Sequence, residues 1–324
     1  MKRPLLRIVA LVLAAMPVSA PAQTPDYPVR PVRIITDSAP GGAVDVVMRI
    51  VAERLSQIWG QPVLAVNQPG GGGGIAARAA AGAAPDGYML FNPSLSAFVA
   101  LPGTAANLPI EVPRDFTPIG FMGGAPTLIS VAPALGVSTL PELIELAKRR
   151  PGELAYGTNG PGRLTHLTGE LLQNRAGIRL LMVPYSGGTP QVLNDIMGGR
   201  LALLMDGYSG VAGAIQSGKV KPIAVASRER LAALPDVPTA AETIPGFVAL
   251  GWQALVAPLG TPDAIVQRVS TDLREALNDP QTRHRLAALG REKVVPMSPA
   301  EVTAFIHAEQ QMWAPIVQQI VHSP

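Results

Sequence analysis

The sequence predicts an α/β protein of two domains, each a mostly parallel sheet flanked by helices, with two crossover segments forming a hinge over a cleft. Three observations predict it. Strands and helices alternate through most of the chain, the pattern of parallel sheets covered on both faces. The alternation pauses near Gly120–Gly124 and restarts at Pro126. The tail beyond Ser227 holds one strand and several helices, too little sheet for a domain of its own, so it returns to complete the first. The expected partition is 23–121 with 228–324 for the first domain, and 122–227 for the second.

Ahead of the first strand, Met1–Arg7 is basic, Ile8–Met16 is apolar, and Ala20 and Ala22 supply small residues. Residues 1–22 therefore read as a secretory signal peptide cleaved before Gln23. A retained membrane anchor would need a longer apolar core. Removing this segment takes away Lys2, Arg3 and Arg7 and no acid, leaving 23 basic against 23 acidic residues. The near-neutral chain that results removes the main support for a nucleic-acid or anionic-membrane partner. The sequence has no cysteine, which excludes disulfides and thiolate metal sites.

In the first set, a β-branched run predicts a strand at Val32–Thr36. Apolar Val47, Ile50, Val51, Leu55 and Ile58 at helical spacing predict a helix over Val44–Trp59. A strand at Val63–Val66, a helix at Gly74–Ala83 and a strand at Met89–Asn92 follow, the last behind the Ala84-Pro-Asp-Gly87 turn. The second set has strands at Thr127–Ala132, Leu154–Gly157, Leu181–Val183, Leu201–Met205 and Pro222–Ala226. Its helices are at Leu140–Arg149, Leu164–Ala176, Pro190–Met197 and Val211–Ser217. The tail reads as a strand at Gly251–Ala257 and helices at Pro262–Asn278, Pro280–Ala288 and Pro299–Val321, with Ser298 as N-cap of the last.

Four glycine-bearing loops fall at the carboxyl ends of strands, where open parallel sheets bind ligands. Pro40, Gly41 and Gly42 lie between the first strand and its helix, aiming free backbone N–H groups and a positive helix end at one point. The loop lacks both nucleotide-binding glycine spacings. The run Gln68–Gly74 brings Gly73 and Gly74 to the start of the second helix. In the second domain, Gly157–His166 offers Asn159 and Thr165 as hydrogen-bonding groups and Arg163 as a bidentate carboxylate partner. His166 reads as a packing or capping residue or as a ligand contact. The fourth loop, Val183–Thr189, carries Ser186, Gly187 and Thr189, the last as an N-cap, with Asp206 ending the next strand at the same edge. Together they describe a cleft for a small anion.

Catalysis has little to work with. There is no G-x-S-x-G elbow, no cysteine nucleophile and no H-E-x-x-H, and the histidines are scattered, so no metal and no cofactor is expected. Asp45, in the first turn of a helix, suits bracing of its own N-terminus.

The motifs Tyr27-Pro-Val-Arg-Pro-Val-Arg-Ile-Ile35, Pro40-Gly-Gly-Ala-Val-Asp45, Asn67-Gln-Pro-Gly70 and Ala84-Pro-Asp-Gly-Tyr88 are followed by four more. These are His166-Leu-Thr-Gly-Glu-Leu171, Val183-Pro-Tyr-Ser-Gly-Gly188, Leu234-Pro-Asp-Val-Pro-Thr239 and Ala257-Pro-Leu-Gly-Thr-Pro262. In order and spacing they resemble the Bug family, extracytoplasmic receptors of tripartite tricarboxylate transporters, over essentially the whole exported chain. The resemblance implies a periplasmic-binding-protein-like fold and a non-enzymatic periplasmic receptor. It also implies a small carboxylate ligand, an organic, amino or aromatic acid, and the membrane subunits of such a transporter as partners. By position it points to Pro40, Gly41, Gly42, Gly73, Gly74, Asn159, Arg163, Thr165 and His166, with Ser186, Gly187, Thr189 and Asp206 behind them.

Departures from the family pattern lie at the cleft. Asp37 and Ser38 stand where the family usually has a proline and an aromatic residue, Gly74 where Asn is frequent, and Arg163 and Leu164 where a small hydroxyl residue is common. Asp37 and Arg163 either pair across the cleft on closure, clamp the two charges of a zwitterion, or lie solvated on the loop rims. Two rival functions share this reading: a ligand-reporting partner of a sensor kinase, and an exported enzyme acting on a carboxylated substrate.

Overall fold

The computed structural model describes residues 26–99, 114–185, 188–291 and 295–322. The signal-peptide segment, Ser186 and Gly187 lie outside them. The strands are β1 (Val32–Thr36), β2 (Val63–Asn67), β3 (Met89–Asn92), β4 (Phe116–Val131), β5 (Ala155–Thr158), β6 (Leu181–Pro184), β7 (Leu203–Gly207), β8 (Lys221–Val225) and β9 (Leu250–Pro258). The helices are α1 (Ala43–Trp59), α2 (Gly74–Ala81), α3 (Leu95–Val99), α4 (Leu140–Arg149), α5 (Leu164–Ala176) and α6 (Thr189–Met197). They continue with α7 (Tyr208–Gln216), α8 (Asp263–Asn278), α9 (Pro280–Ala287) and α10 (Pro299–His322).

The strands run in the order β2-β1-β3-β9-β4-β7-β5-β6, with β8 pairing β4 on the edge opposite β7. At each end the pairs are parallel: β1 with β2 and β3, and β5 with β6 and β7. In the middle, β9 pairs antiparallel with β3 and β4, and β4 antiparallel with β7 and β8. The parallel groups at the two ends define two lobes, and β4 and β9 run between them.

β4 is longer than the expected Thr127–Ala132, because the glycine-rich stretch before it is strand as well. Its register against β9 shifts between Pro118 and Gly120 and again between Phe121 and Gly124. These bulges bend the strand, and Gly123 takes φ 95° there. Gly120 has no room for a side chain, since a Cβ would lie 2.7 Å from Leu273 Cδ2 on α8.

α1 forms because a seventeen-residue run without glycine or proline keeps Val47, Met48, Val51 and Leu55 on one buried stripe. It ends at Gly60, a left-handed cap with φ 62°. The stripe packs with Ile34, Leu90 and Leu255 of the sheet and Val269 and Leu273 of α8 into one core. The opposite face of the sheet carries a second core that spans both lobes, from Ile35 and Phe91 to Tyr156 and Leu203, closed by Val302, Ile306 and Trp313 of α10. α10 opens with a reciprocal cap: Glu301 N–H donates to Ser298 Oγ, and Ser298 N–H donates to Glu301. Trp252 and Trp313 both donate to Glu309, fastening this helix to β9. The tail beyond Ser227 thus contributes to both cores, α8 to the one with α1 and α10 to the one that reaches Tyr156 and Leu203.

Candidate functional site between the lobes

β1 delivers the first loop. Gly42 N–H donates to Ala39 O at 3.1 Å, closing a tight turn, and Gly41 sits at φ 77°. A Cβ on Gly42 would meet Ser38 Oγ at 2.8 Å. Asp45 accepts from Gly41 N–H at 2.8 Å, Asn67 Nδ2 at 2.7 Å and Arg49 Nε at 2.9 Å, which braces the loop from behind. Burial alone would raise the Asp45 carboxyl, but the bonds from Arg49, Asn67 and Gly41 prevail and hold it below the usual range. Asn67 also donates to Ser38 O at 3.0 Å. Pro40, Gly41, Gly42 and Ser38 are thereby fixed with the first turn of α1 beside them.

The second loop is a single 3-10 turn, Gly71–Gly73, running into α2 at Gly74. Gly73 has φ 102°, and a Cβ there would lie 2.7 Å from Asp37 Oδ2. This contact takes Asp37 out of its own loop. The Asp37 side chain is fully buried, accepting from Ser94 N–H at 2.8 Å and Ser94 Oγ at 2.6 Å.

In the other lobe, Arg163 caps the start of α5 with φ −72° and ψ 157°. Its Nη1 donates to Asp37 Oδ2 at 2.8 Å, Ser94 Oγ at 2.9 Å and Ser96 Oγ at 3.2 Å, and its Nη2 to Asp37 O at 3.1 Å. Of the three arrangements open to Asp37 and Arg163, the structure contains the pair. A buried pair holds only where the remaining polar atoms are also satisfied, and the two serines do this. Ser94 and Ser96 were not anticipated from sequence. Their position directly after a strand end was the available signal.

Thr165 and His166 turn inward. Asn159 N–H donates to Thr165 Oγ1 at 2.9 Å, and Gly162 N–H to His166 Nδ1 at 3.0 Å. His166 Nε2 faces Glu170 at 3.5 Å. The ring therefore works as a cap and a brace, the first of its two readings. Burial raises Glu170, but its bonds to His166, Tyr156 and Gln173 prevail and keep its carboxyl below the ordinary range.

The third cluster is Asn159, Thr189 and Asp206. Thr189 Oγ1 and Gly207 N–H donate to the Asp206 carboxylate, and the Asn159 side chain bonds it as well. Burial pushes the Asp206 carboxyl up, and these bonds offset only part of the rise. Thr189 is the first residue of α6, with Gly188 at φ 70° as its cap, so its hydroxyl serves Asp206 instead of the helix end.

Two further amide side chains lie buried in the sheet near these loops. Asn92 ends β3 and Gln253 lies near the start of β9, both fully buried. Asn92 Nδ2 and Oδ1 and Gln253 Oε1 have no hydrogen-bond partner among the described residues. No motif marks either residue, and an amide at the end of an apolar strand was the only signal. Among the described residues, no cluster suited to a metal ion occurs and no helix is long and apolar enough to cross a membrane.

The family model described as "Tripartite tricarboxylate transporter family receptor" matches residues 47–321. Protein BugT of Bordetella pertussis is 36% identical over 317 residues, covering 97% of each chain. The solved structure of Rpa4515 from R. palustris with adipate superposes with a TM-score of 0.85 at 30% identity, covering 91% of this chain and 98% of that one. MatC from Rhodopseudomonas palustris with bound malate gives 0.80 at 29% identity, covering 90% and 100%. Both share the architecture described above over at least 90% of this chain.

Proposed function

This chain belongs to the tripartite tricarboxylate transporter receptor family, and on that premise we propose that it captures a small carboxylated ligand between its lobes and delivers it to the membrane subunits of such a transporter. Members of this family are periplasmic receptors, not enzymes. Residues 1–22 are then the signal peptide, and the moving units are 23–121 with 228–324 on one side and 122–227 on the other.

The observation that carries the reading is the junction of Arg163 with Asp37. It joins the start of α5 in one lobe to the end of β1 in the other, next to two glycine-rich helix starts. At α2 the Gly73 and Gly74 N–H groups already donate to Gly70 O and Gly71 O, whereas the first amides of α1, from Ala43 on, have no partner within their helix and sit at the positive end of its dipole. They hold a carboxylate without a side-chain cation, which suits a cleft whose arginine is already matched by Asp37. The ligand-facing set is then Pro40, Gly41, Gly42, Gly73 and Gly74 on one side, and Asn159, Thr189 and Asp206 with Ser186 and Gly187 on the other. Asp37, Ser38, Arg163, Thr165 and His166 close and shape the cleft. Ligand bridging both lobes shifts an open–closed equilibrium towards the closed form, the form a transporter would read.

A thermal-shift and calorimetric screen of mono-, di- and aromatic carboxylates and amino acids tests this reading. Stabilisation by one class, with the compound recovered unchanged, supports a receptor. Conversion of the compound points instead to an enzyme, and indifference to every carboxylate sinks the proposal.

A further inference from the structure

Three unpartnered polar atoms, Asn92 Nδ2 and Oδ1 and Gln253 Oε1, lie on the neighbouring strands β3 and β9, on the side of the sheet that carries the α1 core. Along β3, Leu90 belongs to the core built on α1, so Asn92, two residues on, faces the same side. The same alternation from Leu255 puts Gln253 on that side of β9, and Gln253 Nε2 donates to Val44 O in α1 at 3.0 Å. Because Val44 O can only accept, the nitrogen of this amide is committed to it and Oε1 is turned away, free. The antiparallel register Phe91 with Val256 brings Asn92 and Gln253 into diagonal neighbourhood. Thr36 stands in register with Asn92 on the adjacent strand.

A fully buried amide with both of its polar atoms unmatched is costly, and so is a buried carbonyl oxygen. A group that satisfies these atoms must accept from Asn92 Nδ2 and the α1 amides while donating to Gln253 Oε1 and Asn92 Oδ1. A plain carboxylate does half of this, since it brings acceptors only and sets its charge against two amide oxygens. A carboxylate with a hydroxyl or ammonium on the neighbouring carbon does both.

The geometry points to Asn92 and Gln253 as a polar socket that selects an α-hydroxy or α-amino acid as ligand, an assignment that rests on the receptor reading above. The carboxylate lies against the α1 amides and the Asn92 nitrogen. The adjacent hydroxyl or ammonium donates to Gln253 Oε1. Selectivity then comes from unpaired acceptors left behind by any acid lacking the donor.

The test compares matched acids by calorimetry on the exported protein: lactate with propionate, malate with succinate, mandelate with phenylacetate, and alanine with propionate. The expected result is about tenfold tighter binding of the substituted member in whichever pair binds, the worth of one buried hydrogen bond to an otherwise unpaired acceptor. In Gln253→Met and Asn92→Leu that preference falls to within about threefold, because nothing is left unpaired. Equal affinities within a pair that binds overturn the socket while leaving the receptor reading intact. Selectivity that survives both substitutions, with only thermal stability altered, shows a water-filled structural void and overturns it as well. Failure of every acid to bind overturns both readings. The wild-type comparison needs no variant, so equal affinities there overturn the socket even if a substituted chain does not fold.

Discussion

Arg163 Nη1 meets Asp37 Oδ2 at 2.8 Å although the two residues are 126 positions apart in the chain. The pair is lopsided: Asp37 is 0% exposed and the Arg163 side chain 22%. Removing the arginine therefore strands a carboxylate that has lost access to water. Arg163→Ala is expected to destabilise the protein by about 3 kcal/mol, and the double substitution with Asp37→Asn to cost clearly less, because the stranded charge goes with it. Urea unfolding of the two single variants and the double closes the cycle. Additive losses would mean that the two residues do not interact in solution.

The same contact sets the size limit at Gly73. A Cβ there falls 2.7 Å from Asp37 Oδ2 at φ 102°, whereas one on Gly41 at φ 77° meets nothing within 4 Å. Gly41→Ala carries backbone strain alone, about 1 kcal/mol. Gly73→Ala adds a clash that also pushes Asp37 off Arg163, for about 3 kcal/mol in all. Thermal unfolding should rank the two in that order, and equal losses would remove the steric role of Asp37.

Most elements were legible because their periodicity is strong. β1, β3, α4 and α5 fall where the sequence puts them, and most other ends move by one or two residues. β4 was not, because Gly120–Gly124 read as a boundary between domains, whereas the register shifts there leave one continuous strand that pairs with both β9 and β7. α3 is five residues long, too short to show a period. At the site, Asp37 and Arg163 stood out as departures from the family pattern, and the structure joins them. Ser94, Ser96, Asn92 and Gln253 carry at most the weak signal of lying in or just after a strand, since their meaning depends on strands that meet only in the fold.

Buried carboxylates give the protein opposing pH responses. Asp206 is raised by burial, so the folded protein binds its proton more tightly than the unfolded chain. Its contribution is fully favourable below the unfolded value of about 3.9 and is lost as pH rises through the higher folded value. Asp45 and Glu170 are lowered, so what they contribute is present above their unfolded values and lost as pH falls through the folded ones. Asp206→Asn should therefore gain stability relative to wild type as pH is raised from about 4 towards neutrality. Asp45→Asn should lose relative to wild type in a lower window, as pH is raised from strongly acidic values to a little above ~4. Chemical denaturation across that pH series separates them, and parallel curves would remove both assignments.

His166 gives the sharpest separation of scaffold from ligand contact. Its Nδ1 accepts from Gly162 N–H and its Nε2 faces Glu170, so both ring nitrogens are occupied inside the protein. A ring used in this way has no atom left for a ligand. His166→Ala leaves one buried N–H unpaired and takes a partner from Glu170, an expected loss of about 2 kcal/mol in stability. His166→Asn restores an acceptor close to Nδ1 and should recover about half of it. Ligand affinity, measured well below the unfolding temperature, should change by less than about threefold in the asparagine variant, since the loop is held and no direct contact is lost. A tenfold or greater loss of affinity with stability preserved would return His166 to the ligand side of the cleft.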